Sequence, residues 1–63
     1  MKATNTEIRE FARRHGAERL VRPTGYGMFE VGHGGRSLYL PYATRAAAEE
    51  DARRWVRSIE RAL

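Results

Sequence analysis

Apolar and polar positions along the chain alternate with two different periods. Ile8, Phe11, Ala12 and His15 recur at i, i+3, i+4 and i+7, one face of a helix. Thr4-Asn5-Thr6-Glu7 ahead of them has the form of a capping box, and Gly16 is placed to end the helix in a left-handed turn. Glu18 to Arg22 reads as a short strand closed by Pro23. From Met28 to Val31 the period becomes two, with Phe29 and Val31 opposite Met28 and Glu30. Gly32-His33-Gly34-Gly35 signals a hairpin. Ser37 to Tyr42 alternates again, Leu38, Leu40 and Tyr42 against Ser37, Tyr39 and Pro41. Pro41 cannot donate to a ladder and marks a strand end or an edge. Thr44 then caps a long helix whose stripe is Ala48, Ala52, Trp55, Val56, Ile59, Ala62 and Leu63.

These patterns predict one α+β domain over residues 1–63, order α-β-β-β-α. Two helical stripes and one alternating strand face have to share a core. The economical solution is a three-stranded antiparallel sheet with both helices on one side and the other side open to solvent. The expected core is Ile8, Phe11, Leu20, Phe29, Val31, Leu38, Leu40, Trp55, Val56 and Ile59. A chain of this size buries only roughly 60% of its unfolded surface, so its stability margin is thin.

Composition narrows the chemistry. There is no cysteine, which excludes disulfides and thiolate chemistry and suits a reducing cytoplasm. Only His15 and His33 are available as imidazole ligands, and neither has an acidic cluster beside it, so no metal or cofactor is expected. No apolar run approaches the ~20 residues of a membrane span, and the opening MKATNTEIRE lacks the apolar core of a secretory signal. A cytoplasmic protein with no membrane partner is the expectation.

Twelve basic residues face eight acidic ones, a net charge of +4, and all the basic residues but Lys2 are arginine. Codon bias in a GC-rich genome explains the arginine-to-lysine ratio but leaves the positive field in place. Glu49 with Arg53 and Glu50 with Arg54 form i, i+4 pairs in the favourable order. Arg53, Arg57 and Arg61 recur every four residues, a ridge along one side of the second helix, and Arg57 and Arg61 have no acid four residues before them, so their charge is freer to meet phosphates.

Individual residues then stand as candidates. His33, in the hairpin, is a possible general base or phosphate donor, or simply an exposed turn residue. His15 suits a helix C-terminus as a cation. The glycines at 25, 27, 32, 34 and 35 carry no Walker pattern and read as turn glycines. Tyr39 is expected on the open sheet face, opposite Leu38 and Leu40, where an aromatic beside arginines can stack on bases. Arg19, Arg22, Tyr26, His33, Arg36, Tyr39, Arg57 and Arg61 form the candidate set for binding nucleic acid or a partner.

Two resemblances add to this reading. The element order is similar to the double-stranded-RNA-binding type of fold, and the chain resembles the HicA-type messenger-RNA interferases of toxin–antitoxin systems over about two thirds of its length. Glu7 to Gly16 resembles that family's opening helix, Gly25 the glycine of its Gly-Ser-His motif, Gly34-Gly35-Arg36 its Asp-Gly-Arg hairpin, and Leu38 to Tyr42 its Val-Thr-Val-Pro strand. The family's catalytic histidine falls on Gly27, and its C-terminal Gly-Thr-Leu-Arg pattern is absent. The resemblance therefore implies the fold and RNA contact but not the cleavage. The strands followed by Thr44, Ala48, Ala52 and Trp55 are also similar to arm-type DNA-binding domains of phage integrases, which read DNA with an exposed sheet face.

The leading expectation is a non-catalytic RNA- or DNA-binding protein of phage or mobile-element type. One alternative is a phage inhibitor of a host defence complex, anti-CRISPR-like, acting on an acidic protein or ribonucleoprotein. The other is a divergent HicA-like RNase with His33 as base. Arginine and tyrosine dominate protein hot spots as well as nucleic-acid interfaces, so composition leaves these open.

Overall fold

The computed structural model describes residues 2–62. Its order is α1 (Asn5–His15), a 3₁₀ turn η1 (Ala17–Leu20), β1 (Val21–Pro23), β2 (Phe29–His33), β3 (Arg36–Tyr42) and α2 (Arg45–Ala62). The strands form one antiparallel sheet in the order β1-β2-β3, with β2 central. No helix among the described residues is long and apolar enough to cross a membrane.

Local sequence sets both helix starts. Thr4 Oγ1 accepts from Glu7 N at 3.2 Å, and Glu7 Oε1 accepts from Thr4 N at 2.9 Å, a closed capping box. The bond from the Thr4 backbone, with that from its hydroxyl, holds the Glu7 carboxyl below its ordinary pKa. Thr44 Oγ1 accepts from Ala47 N at 3.2 Å at the head of α2. That head carries Arg45 rather than an acid, and its guanidinium lies 4.9 Å from the Phe29 ring centroid, a cation–π contact.

The expected strand over Glu18 to Arg22 is corrected. Arg19 N donates to Gly16 O at 3.1 Å and closes a 3₁₀ turn, so the strand starts only at Val21 and runs through Pro23. The reason is burial. Leu20 is fully buried and Val21 nearly so, although they are adjacent. Along one strand they would point to opposite faces. The turn ending at Leu20 lets both enter one core.

The second correction concerns β3. Gly32 pairs with Ser37, Val31 with Tyr39 and Phe29 with Tyr42. One step on β2 thus spans two on β3, and the next two steps span three. Two extra residues sit in β3 as bulges, which reset its alternation. Tyr39 and Tyr42 therefore lie in register with the helix-facing Val31 and Phe29. Leu40, expected in the core, is 59% exposed.

The core is Ile8, Ala12, Leu20, Val21, Val31, Ala48, Ala52 and Trp55, with Phe11, Phe29, Leu38, Tyr42, Val56 and Ile59 packed around it. Ile8 and Ala12 from α1 meet Ala48, Ala52 and Trp55 from α2 on the Val31 side of the sheet. Both helices therefore cover that one face. Ala48 and Ala52 are fully buried, which lets α2 seat closely. Of the expected α2 stripe, the Ala62 side chain and Leu63 lie outside the described residues.

Truncating Leu20→Ala should cost about 2–5 kcal/mol. Thr4→Ala should cost about 1 kcal/mol through loss of the cap. Urea unfolding followed by circular dichroism measures both. A Leu20 effect no larger than that of Thr4 would contradict the buried turn.

Candidate functional site

The face of the sheet away from the helices carries Arg22, Glu30 and Ser37, and they bind one another. Arg22 Nε donates to Glu30 Oε1 at 2.6 Å, and Ser37 Oγ donates to Glu30 Oε2 at 2.8 Å. The remaining guanidinium nitrogens of Arg22 donate to Gly34 O at 3.1 Å and Arg36 O at 3.2 Å. One arginine thus ties β1 to β2 and to the hairpin. The Ser37 bond, helped by Arg22, holds the Glu30 carboxyl below its ordinary value. Gly32 makes the clamp possible. A Cβ there would collide with Arg36 O and come within 3.0 Å of Arg22 Nη2. Arg22 is consequently a structural strap rather than a free cation.

Three more sequence candidates lie away from that face. His33 stacks on Phe11 with ring centroids 3.9 Å apart, and Phe11 also meets His15 at 4.8 Å. His33 is half-buried against the side of α1, neither an exposed turn residue nor one aimed at the open face. Arg36 pairs in register with His33 and donates to Ala3 O at 3.4 Å. Beside it, Lys2 forms a backbone bridge with Gly34, so the N-terminal segment is tied to the hairpin. Tyr39 is placed by the bulges on the helix side. The expected open-face platform of Arg36, Tyr39 and Tyr26, with Arg19 and Arg22 nearby, is not assembled, because Tyr39 turns to α2 and Arg36 to the N-terminal segment.

Tyr26 stands at the tip of the β1–β2 loop, 91% exposed. The next residue, Gly27, has φ of +72°, a left-handed conformation that strains any other side chain. A histidine at this position, where the interferase resemblance puts the catalytic residue, would therefore meet backbone strain. Among the described residues, no group of three or more His, Cys, Asp or Glu could hold a metal ion.

The structure instead brings Tyr39 against α2. A groove of about 410 Å³ runs between β3 and that helix, lined by Tyr39, Asp51, Arg54, Trp55, Ser58 and Arg61. Tyr42 OH donates to Asp51 Oδ2 at 2.8 Å and fixes the carboxylate at one end. Burial first, and then this bond, push the Tyr42 hydroxyl up to about 12. Arg54 reaches Glu50 at 3.2 Å and Asp51 at 3.6 Å. The expected pairing of Glu49 with Arg53 is not formed, and among the described residues Arg53, Arg57 and Arg61 have no acid within ion-pair distance. All three are exposed. Residues 53–61 hold four arginines against a single acid, Glu60. Exposed Arg13, Arg14 and Arg19, on α1 and η1, likewise have no acid within ion-pair distance among the described residues.

The spacing of Arg53, Arg57 and Arg61 made their ridge visible in sequence. The groove was not, because the bulges that turn Tyr39 toward Trp55 leave no local signature.

Gly32→Ala should destabilise the fold by about 1–3 kcal/mol through overpacking, read as a lower melting temperature. The Glu30 shift also has a pH signature. A carboxyl held below its ordinary 4.5 adds stability above that pH and loses it as pH falls through the folded value. Glu30→Gln should thus be less stable at pH 7 and lose less on acidification. Melting curves from pH 7 to 3 that run parallel for the two proteins would refute the assignment.

Searches of family models, curated proteins and solved structures find no match to this chain.

Proposed function

We propose that the protein is a small, non-catalytic nucleic-acid-binding module of the cytoplasm that meets the phosphate backbone with its helical layer. The observation that carries this reading is the ridge of Arg53, Arg57 and Arg61 on α2, exposed and without an acidic partner among the described residues. Unpaired arginines retain their full field for a polyanion and lose no internal bond on meeting it. The arginine of the open sheet face, in contrast, is committed to Glu30 and two carbonyls. The contact surface accordingly moves from the sheet, where the integrase resemblance would put it, to α2 and its neighbours.

A second reading, docking on a host protein, is favoured by Tyr26 and Leu40, which leave 91% and 59% of their surface exposed. It differs in its independence from nuclease treatment when partners are captured from a host lysate.

Gel-shift titrations with short RNA and DNA, duplex and single-stranded, test the first reading. Affinity should fall steeply between roughly 50 and 200 mM salt. Combining Arg53→Ala, Arg57→Ala and Arg61→Ala should leave the circular dichroism spectrum unchanged. It should also make the log–log salt slope on duplex DNA shallower by about 0.9 for each phosphate contact removed. No shift at low salt with any of these nucleic acids would end the proposal.

A further inference from the structure

We infer that the groove between β3 and α2 receives a single unpaired nucleobase, making the protein a reader of single-stranded rather than fully paired nucleic acid. This rests on the nucleic-acid reading and names the part of the ligand that reading leaves open.

The groove holds the groups such a ligand requires, held in place by the fold. Tyr39 is a large aromatic left 47% exposed on the helix side of an edge strand. Every base has a π-face, so an exposed tyrosine beside arginines stacks on bases without regard to sequence. Trp55 is 8% exposed and forms part of the wall. At one end, Asp51 is fixed by the Tyr42 hydroxyl and keeps acceptor capacity for an exocyclic amine or ring N–H. Ser58 is exposed and makes no hydrogen bond through its side chain among the described residues, which leaves its hydroxyl free to donate or accept. Arg54 and Arg61 on the rim sit where the phosphate flanking a stacked base would lie, and Arg61 continues the unpaired ridge. The volume of about 410 Å³ falls within the range of small-ligand clefts.

An added peptide strand is the competing occupant of a groove beside a strand edge. β3 is poorly suited to it. Two bulges break its register, and Pro41 offers no N–H to a neighbouring strand. The aromatic and charged side chains, not the backbone edge, are what the groove presents.

The test uses a short single-stranded oligodeoxynucleotide containing one 2-aminopurine, its blunt duplex, and a poly-glutamate peptide. Trp55 is the only tryptophan, so its fluorescence reports on the groove alone. Wild-type protein should quench 2-aminopurine, perturb Trp55 and prefer the single strand. Tyr39→Ala should abolish the quenching and weaken single-strand binding by about 5- to 100-fold, with duplex affinity unchanged. Tyr39→Phe should retain both signals. Ser58→Leu fills the groove from an exposed position that the core does not use, and it should block the base as Tyr39→Ala does. Duplex binding with no 2-aminopurine quenching, or quenching that survives both Tyr39→Ala and Ser58→Leu, overturns the base site while the wider reading stands. Failure to bind either nucleic acid removes both. A Trp55 response to poly-glutamate equal to that of the oligonucleotide overturns the base site in favour of an acidic protein partner.

Discussion

The guanidinium of Arg22 holds the β-layer together. It reaches from β1 to a carboxylate on β2 and to two carbonyls beside the hairpin. On the open face it joins a strand of three residues to its neighbour, while the buried Val21 and Val31 join them on the other. The clamp has two requirements. Gly32 must lack a side chain, and Glu30 must stay ionised. It also has a functional consequence. The one open surface of the sheet is spent on its own cohesion, which leaves the helices to carry whatever charge is free.

β3 explains why the aromatic chemistry follows the same direction. Each inserted residue rotates the strand by half a repeat. The first delivers Tyr39 to α2 and turns Leu40 away, and the second restores the alternation, so that Tyr42 stays on the helix side. Tyr42 uses its hydroxyl to orient Asp51, while Tyr39 keeps about half its surface. Tyr39 lines the groove itself, and Tyr42, three residues on, acts on it through Asp51. Arg54 and Arg61 complete it from the helix.

What could be read from the sequence divides according to how local its cause is. Thr4 with Glu7, and Thr44 ahead of the alanine-rich stretch, name their helices within one turn of chain. Ile8, Ala12, Ala48, Ala52 and Trp55 declare their faces by period alone. Leu20 and Val21 do not, because the choice between strand and 3₁₀ turn depends on both side chains finding the same core. Neither does the partner of Arg22, which is eight residues away and defined only by strand register. Tyr39 lies on the face opposite to the one its alternation predicts, for the same reason. A regular alternation hides an irregular strand until its partner is known. The arginines of α2 were legible as a ridge, and the loss of the expected Glu49–Arg53 pair only left that ridge with more unpaired charge.

The two alanines beneath α2 bear on how the protein can change. The helix rests on methyl groups at 48 and 52, with no solvent contact. Interiors packed this tightly resist compression, so a bulkier residue at either place would lift the helix and pull Trp55 out of line with it. The outward ridge of α2 is under no such restraint. Its charge pattern can be rewritten residue by residue while the scaffold stays fixed.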